Sequence, residues 1–387
     1  MRILIDLKVM HPNQNSQNAP KFISMVRPVP ETLLDLIRPE VRSQRPYTVP
    51  GARKVPVKLN QNESPFDLPP ALKRELLEAF FQISFNRYPS EQPAKLLTAL
   101  ESHCSVPEGS ILVGNGSNEL TYTLGMCFIH PGDVVVLPCP MFALYESMIH
   151  LHGGQAVSIT CRSDFQFDVG AMLDAIETNR PNLVILTTPN NPTGLAMPFS
   201  DVEKIVRAAP GFVVVDEAYH EFNTEASALS LLDDCPNLIV MRTLSKAFGL
   251  AGLRLGFMVA RPEIISEMMK SRLPFMVDRM SEQVALLLLR NQELVKDRVQ
   301  IILNNTRTLK EALSSIDGVE VRPTNTNFVL FRTSADPATL LNELADKGVL
   351  VRNMGGYPEL VGFLRVTSGT EDENKAFLEA LNSIVGK

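Results

Sequence analysis

The chain lacks the features that mark two specialised classes of protein. Its 37 Lys and Arg residues are outnumbered by 43 Asp and Glu residues, which gives a formal net charge of −6. A protein that binds nucleic acid along the phosphate backbone normally carries a surplus of positive charge, so nucleic acid is not an expected partner. No apolar run approaches the roughly 18 residues that a membrane-spanning helix needs, since the stretch 284–289 ends at Arg290. We therefore expect no membrane anchor.

The five cysteines indicate neither disulfides nor a metal site. Their number is odd, they are scattered along the chain, and they form no CxxC pair and no Cys/His ligand motif. The apolar start at residues 1–5 is interrupted by Asp6 and Lys8, whereas the apolar core of an export signal is continuous. We expect reduced thiols, no bound metal ion and a cytoplasmic location.

Length and composition predict a folded protein of more than one domain. The 387 residues suffice for two or three domains, and an apolar fraction of 45% is ordinary for a globular chain. Residues 1–31 are the exception: they include an Asn-, Gln- and Pro-rich stretch with no hydrophobic period, which predicts a tail outside the core. The pattern changes again after Pro274, which predicts a second, smaller domain.

Six short apolar runs predict the strands of one sheet. A strand that is apolar on both faces needs cover on both faces, which is typical of a mainly parallel sheet between two layers of helices. We therefore expect an α/β fold. The six runs are residues 111–113, 134–137, 183–186, 212–215, 238–241 and 256–260.

Helical patterns separate and follow these runs. Leu72, Leu76, Leu77 and Phe80 have the spacing of the apolar face of an amphipathic helix. Residues 200–203 and 370–373 have the form of capping boxes, which mark helix starts. Residues 282–314 predict one long helical stretch, and 327–331 predict a further strand before a closing helix.

The residues that follow the predicted strands are candidates for a site, because ligands of an open parallel sheet bind beyond the carboxyl ends of its strands. Gly116, Ser117 and Asn118 follow the first run and enter a helix, where backbone N–H groups attract an anion. An ordinary glycine turn with a Ser or Asn cap explains the same residues. Asn190 and Asn191 follow the third run and could donate to a ring oxygen or simply form a loop.

The next two strand ends carry charged groups. Asp216 follows a buried strand directly, so its carboxylate needs a cation, a protonated ligand or a structural salt bridge. Lys246 lies among small and apolar neighbours, with Arg254 eight positions later. Such surroundings lower the pKa of a lysine and favour a nucleophilic amine, although a lysine taken at random is more often a solvated surface residue.

The combination of these groups fits one cofactor, pyridoxal 5′-phosphate. Its aldehyde requires a lysine amine, its pyridine nitrogen requires an acidic partner, and its phosphate requires N–H donors and positive charge. No metal ion is needed for this chemistry.

Five motifs then carry a family resemblance. Residues 59–65 (LNQNESP), 86–89 (NRYP), 189–194 (PNNPTG), 216–219 (DEAY) and 245–254 (SKAFGLAGLR) resemble those of the fold-type I pyridoxal-phosphate aminotransferases, and within them the histidinol-phosphate aminotransferase family. The resemblance extends from about residue 36 to the C-terminus. It implies a homodimer of the fold-type I architecture, with an N-terminal arm and small-domain segment at 32–86, a cofactor-binding large domain at 87–275 and a small α/β domain at 276–387.

The resemblance also implies roles for residues around the cofactor. Lys246 would bond to the aldehyde and carry the proton, Asp216 would pair with the pyridine nitrogen, and Tyr219 would bind the ring oxygen together with Asn191. Phe142 would stack on the ring, although a core phenylalanine explains it equally well. The phosphate would be held by Gly116, Ser117, Asn118, Ser245 and Arg254, and by Tyr88 of the second subunit.

For the substrate, the resemblance implies Arg365 as the ligand of an α-carboxylate, and Arg352 and Tyr47 as ligands of the distal phosphate or imidazole. A solvated arginine and a packing tyrosine remain alternatives for the last two. Asn62 and Asn327 complete the substrate-site candidates. Ser64 occupies a position where many of these enzymes have Asn, which loosens the expected substrate.

The implied reaction exchanges an amino group between L-histidinol phosphate and 2-oxoglutarate, and yields imidazole-acetol phosphate and L-glutamate in histidine biosynthesis. An aromatic amino acid aminotransferase or a threonine-phosphate decarboxylase would share the same cofactor residues. A non-catalytic dimeric binding module is the third alternative, and the presence of both Lys246 and Asp216 argues against it.

Overall fold

The computed structural model describes residues 29–46 and 53–386. Tyr47 and residues 1–28 of the predicted tail lie outside the described residues. Residues 29–43 form one compact unit, in which two short helices are joined by ion pairs from Arg42 to Glu31 and Asp35. The remaining described residues form the second unit, which contains all the sheets.

The helices of the described residues are α1 (Glu31–Leu34), α2 (Pro39–Arg42), α3 (Pro70–Phe81), α4 (Ala94–Cys104), α5 (Ser117–Phe128), α6 (Leu144–Leu151), α7 (Val169–Asn179), α8 (Phe199–Ala208), α9 (Pro262–Met268), α10 (Arg279–Arg290), α11 (Gln292–Ser314), α12 (Pro337–Asp346) and α13 (Glu371–Val385). Short 3-10 helices lie at His220–Phe222, Ala228–Leu231, Ala251–Leu253 and Pro358–Leu360. Among the described residues, no helix combines the length and the apolarity needed to cross a membrane.

The strands are β1 (Val57–Lys58), β2 (Ile111–Gly114), β3 (Val134–Cys139), β4 (Gln155–Thr160), β5 (Leu183–Thr187), β6 (Phe212–Asp216), β7 (Leu238–Thr243), β8 (Gly256–Val259), β9 (Glu320–Val321), β10 (Phe328–Arg332), β11 (Val349–Leu350), β12 (Arg352–Asn353) and β13 (Phe363–Thr367). The central sheet has seven strands in the order β2-β8-β7-β6-β5-β3-β4. Its pairings are parallel except for the two made by β8, so the predicted mainly parallel α/β sheet is confirmed.

Burial on both faces explains why the predicted runs form central strands. Along β6, Val213 and Val215 pack into the apolar core on one side of the sheet, whereas Val214 packs into the core on the other side. Burial of each valine contributes about 1.5 kcal/mol or more, which favours a strand covered by helices on both faces. All six runs are strands of this sheet.

The sequence pattern missed the seventh strand, β4. This strand lies at the edge of the sheet, and its side chains are exposed or half-buried in alternation instead of buried throughout. Continuous apolar runs are typical of strands that are covered on both faces, and an edge strand does not need that pattern.

Two of the predicted helix details are wrong. Leu77 of α3 points away from the core and is 57% exposed, whereas Leu76 is buried. The capping box predicted at residues 200–203 does not form, because α8 already begins at Phe199 after Pro198, and the Phe199 N–H donates to the carboxylate of Glu225 at 3.0 Å.

The capping box at the start of α13 is confirmed, since Thr370 and Glu373 each accept the backbone N–H of the other. The long helical stretch predicted at 282–314 is two helices, α10 and α11. They separate at Asn291, whose backbone leaves the helical conformation (φ −112°, ψ 45°) while its side-chain amide donates to the carbonyl of Leu287 at 2.8 Å. Asn competes with the helical backbone for such hydrogen bonds.

A second, antiparallel sheet has the order β12-β13-β10-β9, and β1 pairs separately with β11. Phe331 of β10 packs edge-to-face on Phe377 of α13, with ring centroids 5.8 Å apart, in a core of its own. The predicted domain boundaries stay a prediction.

Candidate active site

A cavity of about 650 Å³ lies beyond the carboxyl ends of the central strands. The last residues of three neighbouring strands, Thr187 of β5, Asp216 of β6 and Thr243 of β7, line it. Because β8 runs in the opposite direction, it begins at this same edge, and Arg254 just before it also lines the cavity. The opposite wall comes from the second sheet, through Arg352 and Arg365.

Lys246 has a strongly perturbed amine in this cavity. Its Nζ donates to the main-chain oxygen of Gln61 at 3.0 Å and lies 5.8 Å from the ring centroid of Tyr219. Burial, and then repulsion from Arg365, lower the pKa of Lys246 to about 7. A large fraction of the amine is therefore uncharged near neutral pH, which a nucleophile requires. A solvated surface lysine does not describe this residue.

Asp216 is buried at the end of β6, with 9% of its surface exposed. It accepts the Tyr145 hydroxyl at 2.7 Å and the Ala218 N–H at 3.0 Å. Burial raises the pKa of Asp216 to about 6, and these two hydrogen bonds oppose the rise. The structural salt bridge that was the alternative belongs to the next residue: Glu217 pairs with Arg242 at 2.8 Å, whereas Asp216 has no ion-pair partner among the described residues.

The turn between β2 and α5 is shaped by glycine. The residue before α5 is Gly116, at φ +78°, and no side chain among the described residues caps this helix. A Cβ atom at position 116 would lie 2.4 Å from Nη2 of Arg254. Arg254 also donates from Nη1 to the Ser245 hydroxyl at 3.3 Å. An uncapped helix start beside a guanidinium is an arrangement that binds anions.

Of the paired asparagines, only one faces the cavity. Asn190 is buried, and its side chain bonds Thr187, Thr193 and the carbonyl of Pro140. Asn191 lines the cavity and accepts from Nη1 of Arg365. Asn190 therefore stabilises the loop, as one of the two hypotheses predicts, whereas Asn191 faces the cavity, where a ligand can contact it.

Arg352 and Arg365 lie directly opposite each other in the antiparallel pairing of β12 with β13. Arg365 is buried, donates to the carbonyl of Asn60 at 3.3 Å and lies over the ring of Phe328 at 5.1 Å. Like charges on opposite residues repel one another, so an anion between them is favoured.

The cavity thus brings together most of the predicted site residues. Ser117, Asn118, Phe142, Ser245, Tyr219 and Asn62 line it with those already named. Gly116 packs against the guanidinium of Arg254 and does not itself line the cavity. Asn327 is fully buried and does not line the cavity either; its side-chain amide donates to the carbonyl of Asn62 at 3.2 Å. Tyr88 is 79% exposed and stacks on Phe275 at 4.9 Å, outside this cavity.

Two residues that contact the site residues from outside the cavity were not predicted from the sequence. Tyr145 of α6 binds Asp216, and Thr367 of β13 binds Asn62. Neither belongs to a local motif around a strand end. Only the packing of α6 and β13 against the site reveals them, although Thr367 lies two residues after Arg365 and therefore on the same face of its strand.

Comparisons with known proteins agree with this geometry. A sequence model described as aminotransferase class I and II matches residues 54–381. Histidinol-phosphate aminotransferase of Chlorobaculum tepidum is 39% identical over 349 residues, which cover 90% of this chain and 100% of that one. The enzyme of the same name from Chlorobaculum parvum is 40% identical over 348 residues, covering 90% and 98%.

Among solved structures, histidinol-phosphate aminotransferase from Sinorhizobium meliloti in complex with pyridoxal-5′-phosphate superposes with a TM-score of 0.83. It is 26% identical, and the match covers 90% of this chain and 97% of that one.

Proposed function

Because the chain belongs to the class I and II aminotransferase family, we propose that it is a pyridoxal-phosphate-dependent aminotransferase that acts on L-histidinol phosphate and 2-oxoglutarate. The products are imidazole-acetol phosphate and L-glutamate, as in histidine biosynthesis. The relatives named above support the substrates. The observation that carries the proposal is the lysine with the lowered pKa in the same cavity as a buried carboxylate that lacks an ion-pair partner among the described residues.

The residues of the cavity fit pyridoxal phosphate. Lys246 offers an amine that loses its proton readily, and Asp216 is a buried acid that a protonated ring nitrogen would satisfy. At the α5 start, the missing Cβ of Gly116 leaves room for the Arg254 guanidinium, which would pair with the phosphate beside the helix N–H groups. When bound, the cofactor supplies an electron sink that stabilises negative charge on the substrate carbon.

Each residue around the cofactor has a separate role in the proposed reaction. Lys246 takes and returns a proton at Nζ, for which a pKa near neutral pH is suitable. Asp216 would keep the ring nitrogen protonated, and Tyr145 stabilises the carboxylate of Asp216 by its hydrogen bond. Tyr219 and Asn191 would hold the ring at its oxygen, and Phe142 would cover one face of the ring.

Arg365 and Arg352 bind the anionic groups of the two substrates in turn. One substrate carries a phosphate and the other two carboxylates, and guanidinium groups bind both kinds of anion through paired hydrogen bonds. The facing pair therefore explains how one cavity accepts two substrates of different shape.

We further propose that the protein is a homodimer in which Tyr88 reaches the phosphate bound by the partner subunit. Exposed aromatic side chains support this: Phe81, Phe85 and Tyr88 are 87%, 74% and 79% exposed. Large apolar side chains that are exposed within one short segment are typical of an interaction surface. The cytoplasmic location stays a prediction.

A donor panel tests the substrate. The purified protein, loaded with pyridoxal phosphate, is given L-histidinol phosphate, L-phenylalanine or L-threonine phosphate together with 2-oxoglutarate, and both glutamate and CO₂ are measured. We expect glutamate with histidinol phosphate as the best donor and no CO₂. Release of CO₂ from threonine phosphate would indicate the decarboxylase, and glutamate from phenylalanine alone would indicate the aromatic aminotransferase. Lys246→Ala should be inactive with every donor.

A further inference from the structure

A chain of hydrogen bonds leads from the second sheet into the cavity. Thr367 is the last residue of β13 and is 2% exposed. Its Oγ1 accepts the backbone N–H of Asn62 at 2.9 Å and donates to Oδ1 of Asn62 at 3.2 Å. The Nδ2 group of Asn62 in turn donates to the hydroxyl oxygen of Tyr219 at 2.8 Å.

The donor and acceptor of each hydrogen bond between Thr367, Asn62 and Tyr219 are determined by the bond before it. The Thr367 hydroxyl has a single proton and gives it to Oδ1 of Asn62, which leaves the amino half of that amide facing Tyr219. Because Tyr219 accepts at its oxygen, its own proton is free to be donated elsewhere. Tyr219 lines the cavity, so the donor direction that remains is toward a ligand there.

The backbone around Asn62 maintains this arrangement. Asn62 has φ +54°, a left-handed conformation that Asn tolerates better than most residues. Its carbonyl accepts from the buried side chain of Asn327 at 3.2 Å, and the Thr367 N–H donates to the carbonyl of Leu59 at 2.9 Å. The segment 59–62 is thereby fixed to β13 and to the residue before β10, while the carbonyl of Gln61 faces Lys246.

We propose that Thr367 is a positioning residue which, through Asn62, makes the Tyr219 hydroxyl a hydrogen-bond donor to the cofactor. This inference rests on the proposed function. It gives Asn62 and Asn327 a role in setting the direction of the Tyr219 hydrogen bond. The three residues are buried, with exposures of 1%, 0% and 2% for Asn62, Asn327 and Thr367.

The test is the pH dependence of the visible absorption of protein loaded with pyridoxal phosphate. A donor to the ring oxygen stabilises its negative charge, so loss of that donor should move the midpoint of the spectral change to higher pH. Thr367→Val replaces the hydroxyl by a methyl group of similar size, and we expect the midpoint of the spectral change to rise by about one pH unit. Thr367→Ser keeps the hydroxyl and should restore the wild-type midpoint. Asn62→Asp has no amino group, so Tyr219 would donate to it, and we expect a rise at least as large.

The matched control is Thr326→Val. Thr326 is as buried as Thr367, with 1% exposure, but within the described part of the chain its Oγ1 bonds only the neighbouring Thr324 and Phe328. Its midpoint should equal that of the wild type. An unchanged midpoint in Thr367→Val, with the absorption band intact, overturns the inference. If the wild type itself forms no band with pyridoxal phosphate, the proposed function fails instead, and the two results are distinguishable.

Discussion

Replacement of Tyr145 by Phe tests whether a hydrogen bond from outside the cavity controls cofactor binding. The change removes one oxygen from a fully buried ring and leaves the ring itself in the core. That oxygen donates to Oδ2 of Asp216 at 2.7 Å. A hydrogen bond to a charged group contributes roughly 1.5–3 kcal/mol, so its loss should raise the pKa of Asp216 by about one to two units. The starting pKa of this carboxyl is about 6.

The consequence for the cofactor depends on pH in a predictable way. Asp216 must be ionised to pair with a protonated ring nitrogen, so a protonated carboxyl has to lose its proton before binding. At about pH 9 both proteins carry an ionised Asp216, and their cofactor affinities should be equal. At about pH 5 the carboxyl is mostly protonated in both proteins, and its ionisation costs more in the variant by the full difference in pKa. The affinity of the variant for the cofactor should therefore be about tenfold to a hundredfold weaker than that of the wild type.

The assay is the dissociation constant for pyridoxal phosphate, measured from about pH 5 to pH 9 by absorbance or fluorescence, with the ratio of variant to wild type plotted against pH. Titration of the free cofactor affects both proteins equally and cancels in this ratio. Tyr122→Phe, a change of the same chemical type at an exposed position of α5, serves as control. A ratio that does not depend on pH would refute the role of the hydrogen bond in stabilising the carboxylate.

Three further predictions concern the other walls of the cavity. The pKa of Asp216 is raised from 3.8 to about 6, so the wild-type protein loses stability as the pH rises through this range. In the cofactor-free protein, Asp216→Asn should therefore increase the free energy of unfolding by up to about 3 kcal/mol above pH 6 and by little near pH 4. Urea unfolding at the two pH values measures this difference. Gly116→Ala should weaken cofactor binding, because its Cβ would lie 2.4 Å from the Arg254 guanidinium, whereas Gly132→Ala, equally strained at φ +91° but with open space around it, should lower stability alone. Arg352→Gln should raise the KM for the phosphate-bearing donor about tenfold without lowering stability, since it removes a like charge opposite Arg365; an unchanged KM would exclude Arg352 from the substrate site.

The fold and much of the site follow from the sequence because they depend on local patterns. Val213, Val214 and Val215 are apolar in succession because both faces of β6 are covered, and the residue that ends such a strand must lie at the carboxyl edge of the sheet. The sequence therefore predicts that Asp216, Lys246 and Arg254 lie at one edge of the sheet. The edge strand β4 escaped because a half-exposed strand has no continuous apolar run.

The supporting contacts could not be predicted in the same way, because they join segments far apart in the chain. Tyr145 and Asp216 are separated by 71 residues, and Asn62 and Thr367 by 305. Nothing near Tyr145 in sequence distinguishes it from a core residue, and the spacing of Thr367 from Arg365 indicates a shared strand face but not the partner Asn62. Their partners are determined by the way helices and sheets pack.

The two central groups also show why the site conflicts with stability. Burial lowers the pKa of Lys246 to about 7 and raises that of Asp216 to about 6, so the same desolvation disfavours the charged form of each group. A surface lysine and a surface aspartate would remove that cost, but the lysine would then be protonated at neutral pH and could not act as a nucleophile. The hydrogen bonds from Tyr145 and to Gln61 limit the cost without abolishing it. The surrounding core must therefore supply the stability that these buried groups remove, and the buried apolar residues of β5, β6 and β7 that precede these strand ends contribute to it.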